Sequence, residues 1–347
     1  MCGDSFYALG SGVASKLEKY GRNFLTEDIA KHLYRHDIVC CNVECVLSDI
    51  NRNNYSLRSV HMRGRPQAAK YLADWGINIA NVANNHILEQ GYEAAVDTVA
   101  NLQKAGINVA GAGKDDEFMQ GVQLTDLEVS GRHIAFLNLC LLDEYYAFNG
   151  GVSLEQATDS IWQLRSQGKS VIVSVHWGNE LMDRPDSQQK FTARKLVEAG
   201  ALLVIGHHPH VVQGIEEVNG GLIAYSLGNF IFDSFWKDSS WSFILSVTLE
   251  GDTIVDWQCV PVEKDPEHRP QLTQGYRKEQ FKKEFGRRCS LLNSEHSDQQ
   301  YLHEYKMLRE RARRQLHHEL LKNTIAIDPV FWPQILYRFI RRRIGRW

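Results

Sequence analysis

Residues 201–210 read ALLVIGHHPH, a run of small and branched apolar residues closed by glycine and then by three histidines around a proline. An apolar run without polar alternation is a strand buried on both faces. Open α/β sheets collect ligands beyond the carboxyl ends of such strands. Four other stretches repeat the design: Asp37–Glu44 (DIVCCNVE), Ile77–His86 (INIANVANNH), Ser170–Glu180 (SVIVSVHWGNE) and Leu222–Asp233 (LIAYSLGNFIFD). Each ends in residues able to hold a metal, so one active site is expected to be written in five separated places.

Between these runs lie helix-like periodicities at Leu25–Arg35, Pro66–Trp75, Gly91–Ala105, Leu154–Gln167 and Gln188–Ala199. Strand and helix in alternation are the mark of βαβ units. Trp75-Gly76 and Ala105-Gly106 read as left-handed helix caps leading into the next strand. From Gly221 to Val262 the pattern changes to consecutive strands, with Glu250-Gly251-Asp252 as a hairpin turn between Phe243–Leu249 and Thr253–Val260. Parallel units followed by antiparallel strands fit a mixed sheet or two sheets packed face to face.

The 347 residues and 43% hydrophobic content suffice for a large core. Charge is unevenly spread: residues 1–268 hold 21 Lys+Arg against 34 Asp+Glu, whereas residues 269–347 hold 18 against 8. The expected division is therefore a catalytic domain over residues 1–262 and a basic, mainly helical extension over 263–347. Gln299–Lys322 reads as a charged helix. Val330–Trp347 (VFWPQILYRFIRRRIGRW) is an aromatic and arginine-rich amphipathic stretch, open between a helix packed on its own domain and one lying at a membrane interface. No nucleic-acid motif accompanies those arginines, and nucleic-acid binding is not expected.

Seven cysteines, three of them crowded at Cys40, Cys41 and Cys45, suggest reduced thiols rather than a disulfide framework. The CxxxC pair Cys41/Cys45 has no second Cys or His pair near it, which argues against a zinc knuckle. No leader-like start and no run of ~18 apolar residues is present. The expected location is cytoplasmic, with peripheral membrane or synthase contact through the basic tail; a natural start upstream of Met1 would allow export.

Five of the 14 histidines fall in three strand-exit clusters: His86, His176, and His207, His208 and His210. With Asp4, Glu44 and the amides of Asn84 and Asn85 they form an imidazole, carboxylate and amide set suited to Mn, Fe or Zn. These groups suffice for two ions sharing a carboxylate, an arrangement suited to holding both oxygens of a phosphoester during displacement. Singly, a strand-exit His is more often a hydrogen-bonded core residue than a ligand, Asp4 after Gly3 is more often a turn, and Asn84 is as readily a brace of loop backbone. The His208-Pro209-His210 unit is different, because two imidazoles held apart by a rigid proline have no packing role. His207 is not expected to be a ligand.

Together, Gly3-Asp4, Asn42-x-Glu44, Ala83-Asn84-Asn85-His86, Gly111-Ala112-Gly113, His176-Trp177-Gly178-x-Glu180, Gly206-x-His208-Pro209-His210 and Ser226-Leu227-Gly228-Asn229-Phe230 resemble the capsule biosynthesis protein CapA family. That family is associated with poly-γ-glutamate capsule formation and is similar to calcineurin-like metallophosphoesterases. The resemblance covers about residues 2–262. It implies a metallophosphoesterase-like β-sandwich flanked by helices in four α/β/β/α layers, with a C-terminal helical extension. It also implies that Asp4 and His210 hold one ion, Glu44 bridges, and Asn85, His176 and His208 hold the second. His86 would be the general acid, hydroxide held by the ions the nucleophile, and Asn84, Glu180 and Asn229 supporting or substrate-binding groups.

Two departures from the pattern stand out. Phe6 replaces the His commonly found two residues after the first Asp, and Glu89 stands where Asp is frequent after the NNH motif. The expected function is a metal-dependent hydrolase of phosphoesterase type, linked to capsule or poly-γ-glutamate-like polymer synthesis and acting on a phosphoester or the polymer itself. The alternatives are a metal-braced, non-catalytic scaffold for a membrane synthase, and a metal-dependent amide hydrolase.

Overall fold

The computed structural model describes residues 12–52, 56, 61–111, 123–142, 152–234, 236–294, 297–323 and 329–337. Asp4, Phe6, Ala112, Gly113 and the arginine-rich residues 338–347 lie outside them. Among the described residues the strands β1 (Cys40–Asn42), β4 (Ile79–Asn81) and β5 (Asn108–Ala110) form one parallel sheet in the order β1-β4-β5. The short pair β2 (Val46–Leu47) and β3 (Arg63–Gly64) stands beside it.

A larger mixed sheet comprises β6 (Gln123–Val129), β7 (Arg132–Cys140), β8 (Ser170–His176), β9 (Leu203–His207), β10 (Ile215–Val218) and β11 (Gly221–Ala224), in the order β10-β11-β9-β8-β7-β6. An antiparallel unit follows, built from β12 (Trp241–Glu250), β13 (Thr253–Lys264) and β14 (Pro270–Leu272).

Alternate side chains of single strands define the layers. On β7, Ile134 and Phe136 pack with Ile172 of β8, Leu203 and Ile205 of β9, and Ile79 and Ala110 of the parallel sheet, filling the space between the two sheets. Their neighbours Ala135, Leu137 and Leu139 point the other way, with Val171, Val173 and Val175, onto α5 (Leu154–Ser166) and α6 (Ser187–Glu198). On the outer side of the parallel sheet, Ala80 and Val82 meet α1 (Val13–Tyr20), α2 (Glu27–Leu33), α3 (Gln67–Asp74) and α4 (Tyr92–Lys104). Period-two alternation thus gives each sheet two buried faces, and the chain has the four-layer α/β fold of metallophosphoesterase type.

The expected helices appear with trimmed ends. Capping boxes set the starts of α5 (Ser153 with Gln156) and α6 (Asp186 with Gln189). Gly76 and Gly106 follow α3 and α4 with φ of 84° and 85°, as left-handed caps require. The run of strands expected from Gly221 is interrupted, however: β11 ends at Ala224 and strand structure resumes at Trp241. Gly228 turns the chain there at φ 76°, in a space where a Cβ would lie 2.6 Å from the Trp241 carbonyl. The interruption delivers Asn229 to the strand ends.

Beyond residue 262, β13 continues to Lys264 and β14 pairs with it. Then α7 (Gly275–Leu291) buries Phe281 in the inter-sheet core. Arg288, 4% exposed, donates from Nη1 to the Val212 carbonyl at 2.6 Å. Helix α8 (Asp298–Asn323) buries Tyr301 and brings Glu304 to 2.7 Å from Arg184. Residues 332–337 are helical, with Trp332, Leu336 and Tyr337 exposed. No described helix is long and apolar enough to cross a membrane. The described cysteines are free, and burial pushes Cys40 up to about 12 and Cys41 to about 11, so both stay protonated and unreactive.

Candidate metal centre

The registers of the two sheets bring the chemical clusters to one edge. Asn42 pairs with Asn81 between β1 and β4, and His176 with His207 between β8 and β9, so both sheets end their parallel strands at the same level. A polar bridge ties the levels together: Asn81 Nδ2 donates to Ser174 Oγ at 2.8 Å, and His207 Nε2 lies 3.1 Å from the same oxygen. His207 therefore serves the seam between the sheets and belongs to neither ligand group described below. Gly206 permits the close approach of β11, since a Cβ there would lie 2.0 Å from the Tyr225 carbonyl and 2.5 Å from Trp177 Nε1.

Glu44, 6% exposed, places Oε1 3.7 Å from His176 Nε2 and 3.4 Å from His210 Nε2. His176 Nε2 is also 2.9 Å from Asn85 Oδ1. Metal–ligand bonds of ~2.1 Å separate neighbouring ligand atoms by roughly 3–3.5 Å, and these gaps are of that size. Ligand atoms of Glu44, His176 and His208 lie within 4.8 Å of one another, as do those of Glu180, His208 and His210. The structure thus brings together Glu44, Asn85, His176, His208, His210 and Glu180, residues spread over 167 positions of sequence.

Electrostatics suit the donors to a cation. Burial first, and then the neighbouring imidazoles, hold His176 and His208 well below the ordinary histidine range, so both are neutral at physiological pH, the form in which an imidazole can bind a metal. Their Nδ1 atoms are buried without a hydrogen-bond partner among the described residues. The set fits a divalent ion with mixed nitrogen and oxygen ligands. Asn229 Oδ1 accepts from His210 Nδ1 at 2.9 Å, which leaves the Nε2 lone pair turned to Glu44. His208 and His210 adopt φ of 96° and 60°, strained conformations of the kind that accumulate at functional sites.

Asn84 braces the loops. Its Nδ2 donates to the Val43 carbonyl at 2.9 Å and its Oδ1 accepts from the His86 backbone at 3.1 Å. Those bonds lock the Glu44 and Asn85 segments together. Next to it, Asn85 turns Nδ2 to His86 Nε2 at 3.3 Å, which aims Oδ1 at His176. Glu89 clamps two imidazoles, with Oε2 2.6 Å from His86 Nδ1 and Oε1 2.7 Å from His61 Nδ1. Burial alone would lower His86, but the Glu89 hydrogen bond and the charges of Glu44, Glu89 and Glu180 raise it above the ordinary histidine value. Burial likewise opposes the charge on Glu89, yet the two imidazoles hold it at about 2. His61 carries no signal in the sequence: it stands alone in an irregular stretch, and only folding sets it against Glu89.

Comparison with known proteins is consistent with this geometry. A phosphatase of Mycoplasma pneumoniae shares the fold at a TM-score of 0.50 and 15% identity, over 72% of this chain and 92% of that one. The capsule biosynthesis protein CapA of Bacillus anthracis and the PGA biosynthesis protein CapA of Bacillus subtilis are each 26% identical over 269 residues, 73% and 74% of this chain. This chain spans 64% of the length of the first and 69% of the second. The family model for the bacterial capsule synthesis protein PGA_cap matches residues 1–234, and the chain belongs to that family.

Proposed function

We propose that this protein is a metal-dependent hydrolase of the phosphoesterase type, acting in the formation of a capsule or poly-γ-glutamate-like surface polymer. The observation that carries the proposal is the convergence of Glu44 Oε1 with two imidazole Nε2 atoms, at 3.7 and 3.4 Å, from the ends of different strands. The family and the names of the Bacillus relatives support the polymer context.

In this reading Asn85, His176 and His208 would hold one divalent ion, His210 a second together with Asp4, and Glu44 would lie between them. Bound there, such ions polarise a phosphoryl oxygen and lower the pKa of water. The surrounding residues orient and move protons. His86 keeps one proton on Nδ1 against Glu89; in the charged form Nε2 carries a second proton, which displaces the Asn85 Nδ2 contact and is available to the departing oxygen of the ester. Asn229 and Asn84 keep the ligand atoms turned inward.

The test is metal content and hydrolysis measured on one preparation. Purified protein loaded with Mn is expected to bind two ions and to cleave bis(p-nitrophenyl) phosphate, and His208→Ala to lose both properties. Cleavage at no rate above the His208→Ala background, with two ions bound, would end the phosphoesterase proposal and leave a metal-braced scaffold.

A further inference from the structure

We propose that Glu180 is a metal ligand, replacing at the His210 ion the histidine that Phe6 removes from the family pattern. The proposal rests on the metal-centre reading above and assigns Glu180 a role beyond rim support. Its ligand atom lies with those of His208 and His210 within 4.8 Å. Two ~2.1 Å bonds to one ion span at most ~4.2 Å, so a closing movement of no more than about 0.6 Å brings the carboxylate and His210 to one ion.

Backbone geometry explains how an exposed residue arrives there. After β8 ends at His176, Gly178 turns the chain at φ 78°, packed so closely on Gln189 that a Cβ would sit 2.5 Å from its side chain. Leu181 takes φ 67° and donates its N–H to the Pro209 carbonyl at 2.8 Å. The loop bearing Glu180 is therefore stitched to the middle of His208-Pro209-His210. The left-handed Leu181, a strained conformation for a residue with a side chain, and a hydrogen bond between the loops hold the carboxylate beside the two histidines.

Among the described residues no lysine or arginine forms an ion pair with Glu180. Its neighbours His208 and His210 are instead metal-type donors, and a carboxylate beside them completes a nitrogen and oxygen set typical of Mn, Fe or Zn. Glu44 Oε1, 3.4 Å from His210 Nε2, supplies the further oxygen of the same ion.

The deciding experiment is Mn titration of the full chain by calorimetry and electron paramagnetic resonance. It compares wild type with Glu180→Gln and Glu180→Asp, after circular dichroism shows that the variants are folded. Wild type is expected to bind two ions with a spin-coupled Mn–Mn signal. Glu180→Gln is expected to weaken one of the two by at least about tenfold, the lower end for loss of a group that supports a metal, and to abolish the coupled signal at equimolar Mn. Glu180→Asp should restore part of the affinity. Two ions bound by Glu180→Gln with wild-type affinities would overturn the ligand role while leaving the metal centre intact. Absence of Mn binding by wild type would instead overturn the metal-centre reading and this one with it.

Discussion

Replacing Glu89 with glutamine tests the clamp on His86 by the acid dependence of stability. The carboxylate lies 2.6 and 2.7 Å from two imidazole nitrogens and is held at about 2, against an ordinary 4.5. A displacement of that size corresponds to roughly 3 kcal/mol of folding free energy, since one pH unit is worth about 1.4 kcal/mol. The side chain is 23% exposed, and solvent screening reduces the expectation to about 2 kcal/mol. The sign follows from the direction: a carboxyl depressed on folding stabilises fully above about pH 4.5, and its contribution disappears as pH falls toward about 2. His86, displaced upward, stabilises fully below its ordinary 6.5 and loses its contribution as pH rises through the folded value. Both describe the same contact and are not added. Urea denaturation of wild type and Glu89→Gln, followed at pH 6, 5, 4 and 3, should show a gap of about 2 kcal/mol at pH 6 that narrows toward pH 3. An equal gap at every pH would refute the electrostatic account, and no gap at pH 6 would refute the clamp.

Two further outcomes concern the scaffold. Gly206→Ala would drive a methyl group to 2.0 Å from the Tyr225 carbonyl and break the 3.0 Å bond from Trp177 Nε1 to that oxygen; overpacking and the lost buried hydrogen bond together should cost about 3–5 kcal/mol in urea denaturation, and a cost under 1 kcal/mol would contradict the close approach. A chain ending at Val262 would lose β14 and the Phe281 and Leu292 side chains that are 3% and 6% exposed, worth about 2–3 kcal/mol each. It should be recovered unfolded or aggregated, whereas one ending at Ser294 should give a cooperative thermal transition; a cooperative transition from the shorter chain would show that the core closes before residue 263.

Much of the fold is legible because burial imposes simple periods. ALLVIG and SVIVSV are strands from composition alone, and β8 shows why: both of its faces meet apolar partners, so no polar alternation survives. Helix ends are readable where a glycine marks them, as at Gly76 and Gly106, whereas the Asp186 cap emerged only in the structure. The hairpin of β6 and β7, with its exposed outer strand, and the helix α1 were not anticipated, and α7 only as part of a mainly helical extension. The stretch 225–240 misled in the opposite sense: its apolar residues satisfy the core as an irregular connection rather than as strands.

The metal-type residues were recognisable from chemistry, because imidazole, carboxylate and amide groups at the ends of apolar runs have few other uses. Chain order specifies which groups exist and on which strand each one stands. It does not specify distances across the seam between two sheets, since those depend on register, on the Asn81–Ser174 bridge and on the left-handed turns at Leu181, His208 and His210. His61 at Glu89 and Glu180 beside His210 are therefore products of packing: each pair is joined through space by contacts that no local spacing encodes.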